Sequence, residues 1–269
     1  MATSESGPAD APTIVLQSQS PIRLDGWQGR CCASVAAWAR NHGYTYRHEG
    51  DEFLDRVPAR LRRRFAGQRV VLSDLARLHW LRTVLEEGYE RAIWVDADVL
   101  VFRDFAPPAR GDLVGRECWI QFQDRALRSY RKVHNAWLQF AAGSALLPFY
   151  TERAEALLRL ADAPVVPQFI GPKLLTAWHN IVPFAVEERV GMLSPRCLHE
   201  LLTPPHQPAP ALDRLASGHR TPLCALNLCA SLEGRGTDGV MHDADAYHRV
   251  IDGLLDGSLL GRLDRTGAV

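Results

Sequence analysis

Residues 92–102 read AIWVDADVLVF. Four apolar residues run into an Asp-Ala-Asp, and four more follow it. Such short apolar blocks are the pattern of a covered strand in a sheet with helices on its faces. Residues two apart on a strand point to one side, so the spacing predicts that Asp96 and Asp98 face one point. Two carboxylates in apolar surroundings are costly unless donors or a cation compensate them. A hard divalent ion, its shell completed by phosphate oxygens, is a natural compensator. With 18 aspartates in 269 residues, one Asp-x-Asp arises by chance. Asp243-Ala244-Asp245 is such a second copy, in a polar stretch that reads as the start of a helix. The competing reading of Asp96 and Asp98 is a solvated strand end or a turn.

Working outward, residues 73–88 carry Leu75, Leu78, Leu81 and Leu85 at helical spacing, with Ser73 as cap and Gly88 as stop. Upstream, residues 13–17 are a first buried strand, 27–42 a helix stopped by Gly43, and 44–47 a second strand. Residues 50–66 read as an arginine-decorated helix punctuated by Pro58. Downstream, 135–150, 152–161 and 172–179 read as helices. Residues 203–222 read as a loop rich in proline and histidine, 223–228 as a late strand and 246–260 as a closing helix. The early strand–helix alternation indicates an α/β sheet.

Composition narrows the function classes. The chain has 31 basic and 31 acidic residues, a pI near 7.1 and 46% hydrophobic residues. That balance argues against a nucleic-acid binder acting through a basic field. No run of 18 apolar residues exists, and residues 1–12 read as a short disordered leader rather than a secretory signal. A cytoplasmic protein is expected. The six cysteines form no Cys-x-x-Cys pair, which points to reduced buried thiols rather than zinc.

The stretch GYERAIWVDADVLVFRDF, residues 88–105, resembles the metal-site segment of retaining GT-A glycosyltransferases, the glycogenin-like family especially. LSDLARLHWL, residues 72–81, is similar to the Ser-Asp-x-x-Arg helix of toxin glucosyltransferases and Och-type mannosyltransferases. HNAWLQFAAGS (134–144) and IGPKLLTAW (170–178) resemble that group's Asn-containing helix and Gly-Pro-x-x-Leu-Thr segment, and CALNLCASL (224–232) its closing metal-ligand segment. Two departures stand out: the glycogenin-like His-x-x-Gly-x-x-Lys-Pro-Trp ending is absent, and Gly88-Tyr89-Glu90-Arg91 replaces the Gly-Gly-x-Tyr lead-in. The resemblance implies a GT-A-like single compound domain over residues 13–269, with a mixed central sheet and helices on both faces. It implies a metal-dependent retaining glycosyltransferase that moves a sugar from a UDP-linked donor to an acceptor (small molecule, glycan or protein).

Each role has a plainer alternative. Asp98 is expected to bind Mn²⁺ or Mg²⁺ directly, and Asp96 the metal, the ribose or both. Asp74 and Arg77 share a helix face, as an ordinary ion pair or, by resemblance, as contacts to donor sugar and phosphate. Asn227 is expected as third metal ligand, against a plain buried amide, with His242 and His248 as alternatives; Ser231 would reach the diphosphate. Gln17 and Ser18 end the first strand, where open sheets bind ligands, so base or ribose contacts are expected. Asn135, Gly171 and Pro172 line the acceptor side by resemblance. Lys173 and the arginines at 60, 62, 63 and 64 read as surface. Two other functions compete: a haloacid-dehalogenase-type phosphatase, whose first Asp attacks phosphate, and a non-catalytic nucleotide-sugar-binding protein.

Overall fold

The computed structural model describes residues 12–237 and 239–264, so the expected leader, apart from Pro12, lies outside the described residues. The chain runs β1 (Thr13–Ser18), α1 (Trp27–Asn41), β2 (Thr45–Glu49), α2 (Ala59–Arg64), α3 (Arg69–Glu86), β3 (Arg91–Val95) and β4 (Val99–Val101). A hairpin of β5 (Leu113–Gln123) and β6 (Ala126–Ala141) follows, then α4 (Leu146–Leu160) and α5 (Pro172–Ile181). The last part holds β7 (Val186–Glu187), β8 (Val190–Met192), α6 (Pro195–Leu202), α7 (Pro210–Ser217), β9 (Ala225–Asn227), α8 (Ala244–Leu255) and α9 (Leu260–Leu263).

Two sheets result. The large one has the order β2-β1-β3-β6-β5-β7, with β1 parallel to β2 and β3, and β6 antiparallel to β3 and β5. The small one has the order β4-β9-β8. This is a mixed α/β architecture, and alternation along the central strands explains its layers. Ile14, Leu16, Ala92 and Trp94 pack on the side of α3, α4 and α5, whereas Val15, Ile93 and Val95 pack with Val35 and Trp38 of α1. A third apolar cluster joins the small sheet to α6, α7 and α8 through residues such as Leu226, Leu198, Leu212 and Val250. No helix among the described residues is long and apolar enough to cross a membrane.

Several expectations are corrected. Residues 135–141 belong to β6, not a helix, because a strand covered on both faces shows a continuous apolar run without alternation. α3 starts at Arg69, so Ser73 lies inside the helix and does not cap it. Residues 50–66 break into a 3-10 turn and α2, with Pro58 between them. The proline-rich stretch 203–222 contains α7, with Pro210 in its first turn, where a missing N–H costs nothing. The stop at Gly43 is as expected: its φ of +68° is a conformation glycine adopts freely.

Candidate functional site

β3 ends at Val95, and Asp96-Ala97-Asp98 forms the turn that carries the chain from the large sheet to the small one. The carboxylates therefore do not share a strand face; a turn closed by Val99 N–H donating to the Asp96 carbonyl (3.1 Å) brings them together. That turn is pinned from three sides. Asp96 N–H donates to the Ala136 carbonyl at 2.8 Å, and Leu228 N–H donates to the Asp98 carbonyl at 2.9 Å. Gln17 Nε2 donates to the Asp96 carbonyl at 3.1 Å, while Gln17 Oε1 accepts from the Tyr46 hydroxyl at 2.8 Å.

Each carboxylate is held by its own donors. Asp96 Oδ1 accepts from Trp94 Nε1 at 2.7 Å and faces an Arg77 guanidinium nitrogen at 3.0 Å. Asp98 Oδ1 accepts from Asn227 Nδ2 at 2.7 Å, and its Oδ2 from Ala230 N–H at 2.9 Å. Burial first, and then the charge of Asp96, push Asp98 up to about 6 despite these donors. A divalent ion between the two carboxylates would remove that mutual repulsion.

Beneath the turn lies a buried polar network. Arg77 reaches Asp74 at 3.1 Å and Asp96 at 3.0 Å, donates to the Asn135 carbonyl at 2.7 Å, and lies 4.9 Å from the Trp94 ring centroid. Asn135 Nδ2 donates to Asp74 Oδ1 at 2.7 Å. Burial pushes Asp74 up to about 6, with Arg77 and Asn135 opposing it. Gly171, at the start of α5, lies against this pair: a Cβ there would sit 2.4 Å from Asp74 Oδ2 and 2.7 Å from Asn135 Nδ2. Only glycine permits that approach.

Above the turn opens a cleft of about 970 Å³. Ser18, Arg77, Asp96, Asp98 and Ser231 line it. Other expected residues stand elsewhere. Gln17 is fully buried beneath the floor, where its amide is engaged with Asp96 and Tyr46. Asn227 Oδ1 accepts from Cys229 N–H at 2.7 Å, which turns the amide oxygen away from Asp98. The amide thus positions Asp98, and direct metal ligation would need both of its hydrogen bonds broken. His242 faces the Pro195 carbonyl at 3.0 Å, and His248 faces Arg30 at 3.4 Å. Asn135, expected on a helix, lies on β6, and Lys173 is exposed. Arg62 pairs with Asp55 and Arg64 bonds the Arg159 carbonyl, as expected for a surface face.

Sequence reasoning missed four charged cleft residues, Arg23, Arg69, Glu233 and Arg235. Glu233 Oε2 accepts from Trp27 Nε1 at 3.1 Å, and Trp27 is stacked on Tyr247 at 4.4 Å. The glycines in LEGRGTDG, residues 232–239, directly after Ser231, were the available signal of a loop at the cleft.

The donor set fits a hard cation: carboxylates and hydroxyls line the cleft, and neither imidazole nor thiol does. All six cysteines are buried and free. Among the described residues no group of three or more His, Cys, Asp or Glu is placed to hold a metal. An ion here would take Asp96 and Asp98 from the protein and its remaining ligands from a bound phosphate and water.

No protein-family model matches the chain, and no curated protein matches it. Among solved structures it is similar to a glycosyltransferase involved in the glycosylation of the major capsid of PBCV-1, at 13% identity and a TM-score of 0.45, with 90% of this chain and 99% of the other covered. At that distance no residue role carries across.

Proposed function

We propose that this chain is a glycosyltransferase that takes a nucleotide-diphosphate sugar, UDP-linked, with Mn²⁺ or Mg²⁺. One observation carries the reading: two carboxylates on a pinned turn at the floor of an open cleft, one of them raised to about 6 by burial and by the other's charge. Asp96 and Asp98 would hold the ion, which when bound neutralises the leaving diphosphate. Trp94 and Arg77 both bind Asp96 Oδ1 and leave Oδ2 for the ligand. Asn227 and Ala230 hold Asp98 in place, and Gln17 anchors the turn's backbone. Ser18 and Ser231 supply hydroxyls for ribose or phosphate. Asp74 acts through Arg77 and Asn135. In the reaction the acceptor hydroxyl oxygen bonds to the anomeric carbon as the bond to the diphosphate breaks, and the hydroxyl proton passes to the departing diphosphate oxygen. Retention of configuration rests on the resemblance of residues 72–105, and the anomeric coupling in the product's proton NMR spectrum tests it.

The phosphatase alternative needs a lysine and a second acidic pair at the site. Asp243 instead caps α8 by accepting from Ala246 N–H, and Lys173 is exposed and does not line the cleft. The deciding experiment is calorimetric titration of UDP-glucose, UDP-galactose, UDP-N-acetylglucosamine and GDP-mannose with and without Mn²⁺, followed by an assay of donor hydrolysis. Metal-dependent binding with hydrolysis supports a transferase. Binding without turnover supports the non-catalytic alternative, and hydrolysis of 4-nitrophenyl phosphate the phosphatase.

A further inference from the structure

The β5–β6 hairpin extends well beyond the body of the large sheet, and its register sorts its side chains into two faces. On one face Cys118, Ile120 and Leu127 join the apolar cluster of α6, α7 and α8. On the other, the facing pairs are Glu117–Lys132, Trp119–Tyr130 and Gln121–Arg128. Trp119 and Tyr130 are half-buried, yet neither belongs to any of the three apolar clusters. They are instead set in place by polar neighbours. Trp119 Nε1 donates to Gln121 Oε1 at 3.0 Å, the Tyr130 hydroxyl donates to Gln123, and Lys132 Nζ lies 5.4 Å from the Tyr130 ring centroid.

We propose that this outer face, carrying Glu117, Trp119, Gln121, Tyr130 and Lys132, binds the sugar rings of a carbohydrate acceptor. A pyranose ring presents a C–H face that stacks on an indole or phenol, and a rim of hydroxyls that bonds amides, carboxylates and ammonium groups. Trp and Tyr offer that combination of apolar body and polar edge, on a strand pair that holds them rigidly. The acidic and basic groups on the face are mixed, which suits a neutral, hydroxyl-rich ligand better than a charged one. From Glu117 to Gln121 the strand covers about 13 Å, the length of a short oligosaccharide.

The strand pair that carries this face starts at the proposed donor site. Asp96 N–H donates to the Ala136 carbonyl at 2.8 Å and Arg77 donates to the Asn135 carbonyl at 2.7 Å, so β6 enters the ribbon directly from the turn that holds the two floor carboxylates. The inner end of the ribbon thus meets the cleft floor, where an acceptor hydroxyl must arrive. This assignment rests on the glycosyltransferase reading and selects the glycan from the acceptor classes the sequence left open.

Fluorescence and calorimetric titration with maltopentaose, cellopentaose and chitopentaose, without donor or metal, tests it. At least one should bind the wild-type chain and quench tryptophan emission. Trp119→Ala and Tyr130→Ala should weaken that binding tenfold or more, with UDP–Mn²⁺ affinity unchanged within twofold. Gln121→Ala, which removes no ring, should weaken it about threefold and serves if Trp119→Ala does not fold. Absence of binding to all three glycans overturns the assignment, as does unchanged binding in Trp119→Ala. Transfer only to an intact protein, with free oligosaccharides unbound, also overturns it. Because glycan binding is read without donor, a failure of the donor reading registers separately, in the UDP titration.

Discussion

Replacing Arg77 by alanine removes the guanidinium that meets both Asp74 and Asp96. Arg77 is 5% exposed and Asp74 3%, so neither is compensated by solvent. The change deletes contacts to Asp74 at 3.1 Å and Asp96 at 3.0 Å, and a hydrogen bond to the Asn135 carbonyl at 2.7 Å. Removing one partner of a buried ion pair costs about 3–5 kcal/mol, mostly from the charge left behind. For a chain of this size that is a fall in Tm of roughly 10 °C. Asp74 contributes part of that penalty, so Asp74→Asn added to Arg77→Ala should restore about 1–2 kcal/mol. Urea unfolding of both single variants and the double variant at pH 8 measures these terms. UDP and UDP-glucose should lose affinity to the same degree, since Arg77 reaches the ligand through Asp96. A loss below about 1 kcal/mol would show a solvated surface pair. A selective loss of UDP-glucose affinity would make Arg77 a sugar contact and refute the positioning role.

Asp98→Asn should abolish Mn²⁺-dependent UDP affinity in a chain whose circular dichroism is unchanged. Asn227→Ala should cost about 2–4 kcal/mol in denaturant unfolding, because it takes a donor from Asp98 and leaves Cys229 N–H, at a backbone φ of 57°, without its acceptor. Gly171→Ala should lose about 1–3 kcal/mol, since the added carbon falls 2.4 Å from Asp74 Oδ2. Asp74 holds its proton to about pH 6 in the folded chain, against 3.8 for a solvated aspartate, so folding takes up protons between those values. Its contribution therefore falls as pH rises from about 4 through about 6 and stays low above, and the wild-type stability curve should show that fall relative to Asp74→Asn in thermal unfolding.

Four elements of the first hundred residues were legible because they differ in period: β1 and β3 are short apolar runs, and α1 and α3 carry helical stripes. β6 was not, because residues 133–140 are buried without interruption and give no alternation to separate strand from helix. That error moved Asn135 to the wrong kind of element, and its bond to Asp74 and the approach of Gly171 to the same pair join residues that the sequence reading assigned separately to the donor and acceptor sides. Asp96 and Asp98 were found as a pair, although the turn that joins them depends on pairing with Ala136 and Leu228, 40 or more residues away, which no local pattern shows. Asn227 was singled out by its place between apolar neighbours and by the resemblance, while the direction of its amide follows from Cys229, whose left-handed backbone is invisible in the sequence.

The most direct test of the site is a crystal grown with UDP and Mn²⁺, with anomalous scattering collected at the manganese edge. A single peak is expected in the cleft within about 2.0–2.4 Å of an Asp98 carboxylate oxygen, with the Asn227 amide oxygen still on Cys229 N–H. A peak bound to the Asn227 amide oxygen, to His242 or away from the Asp96–Asp98 turn would contradict the proposed site, as would UDP bound in the cleft with no manganese.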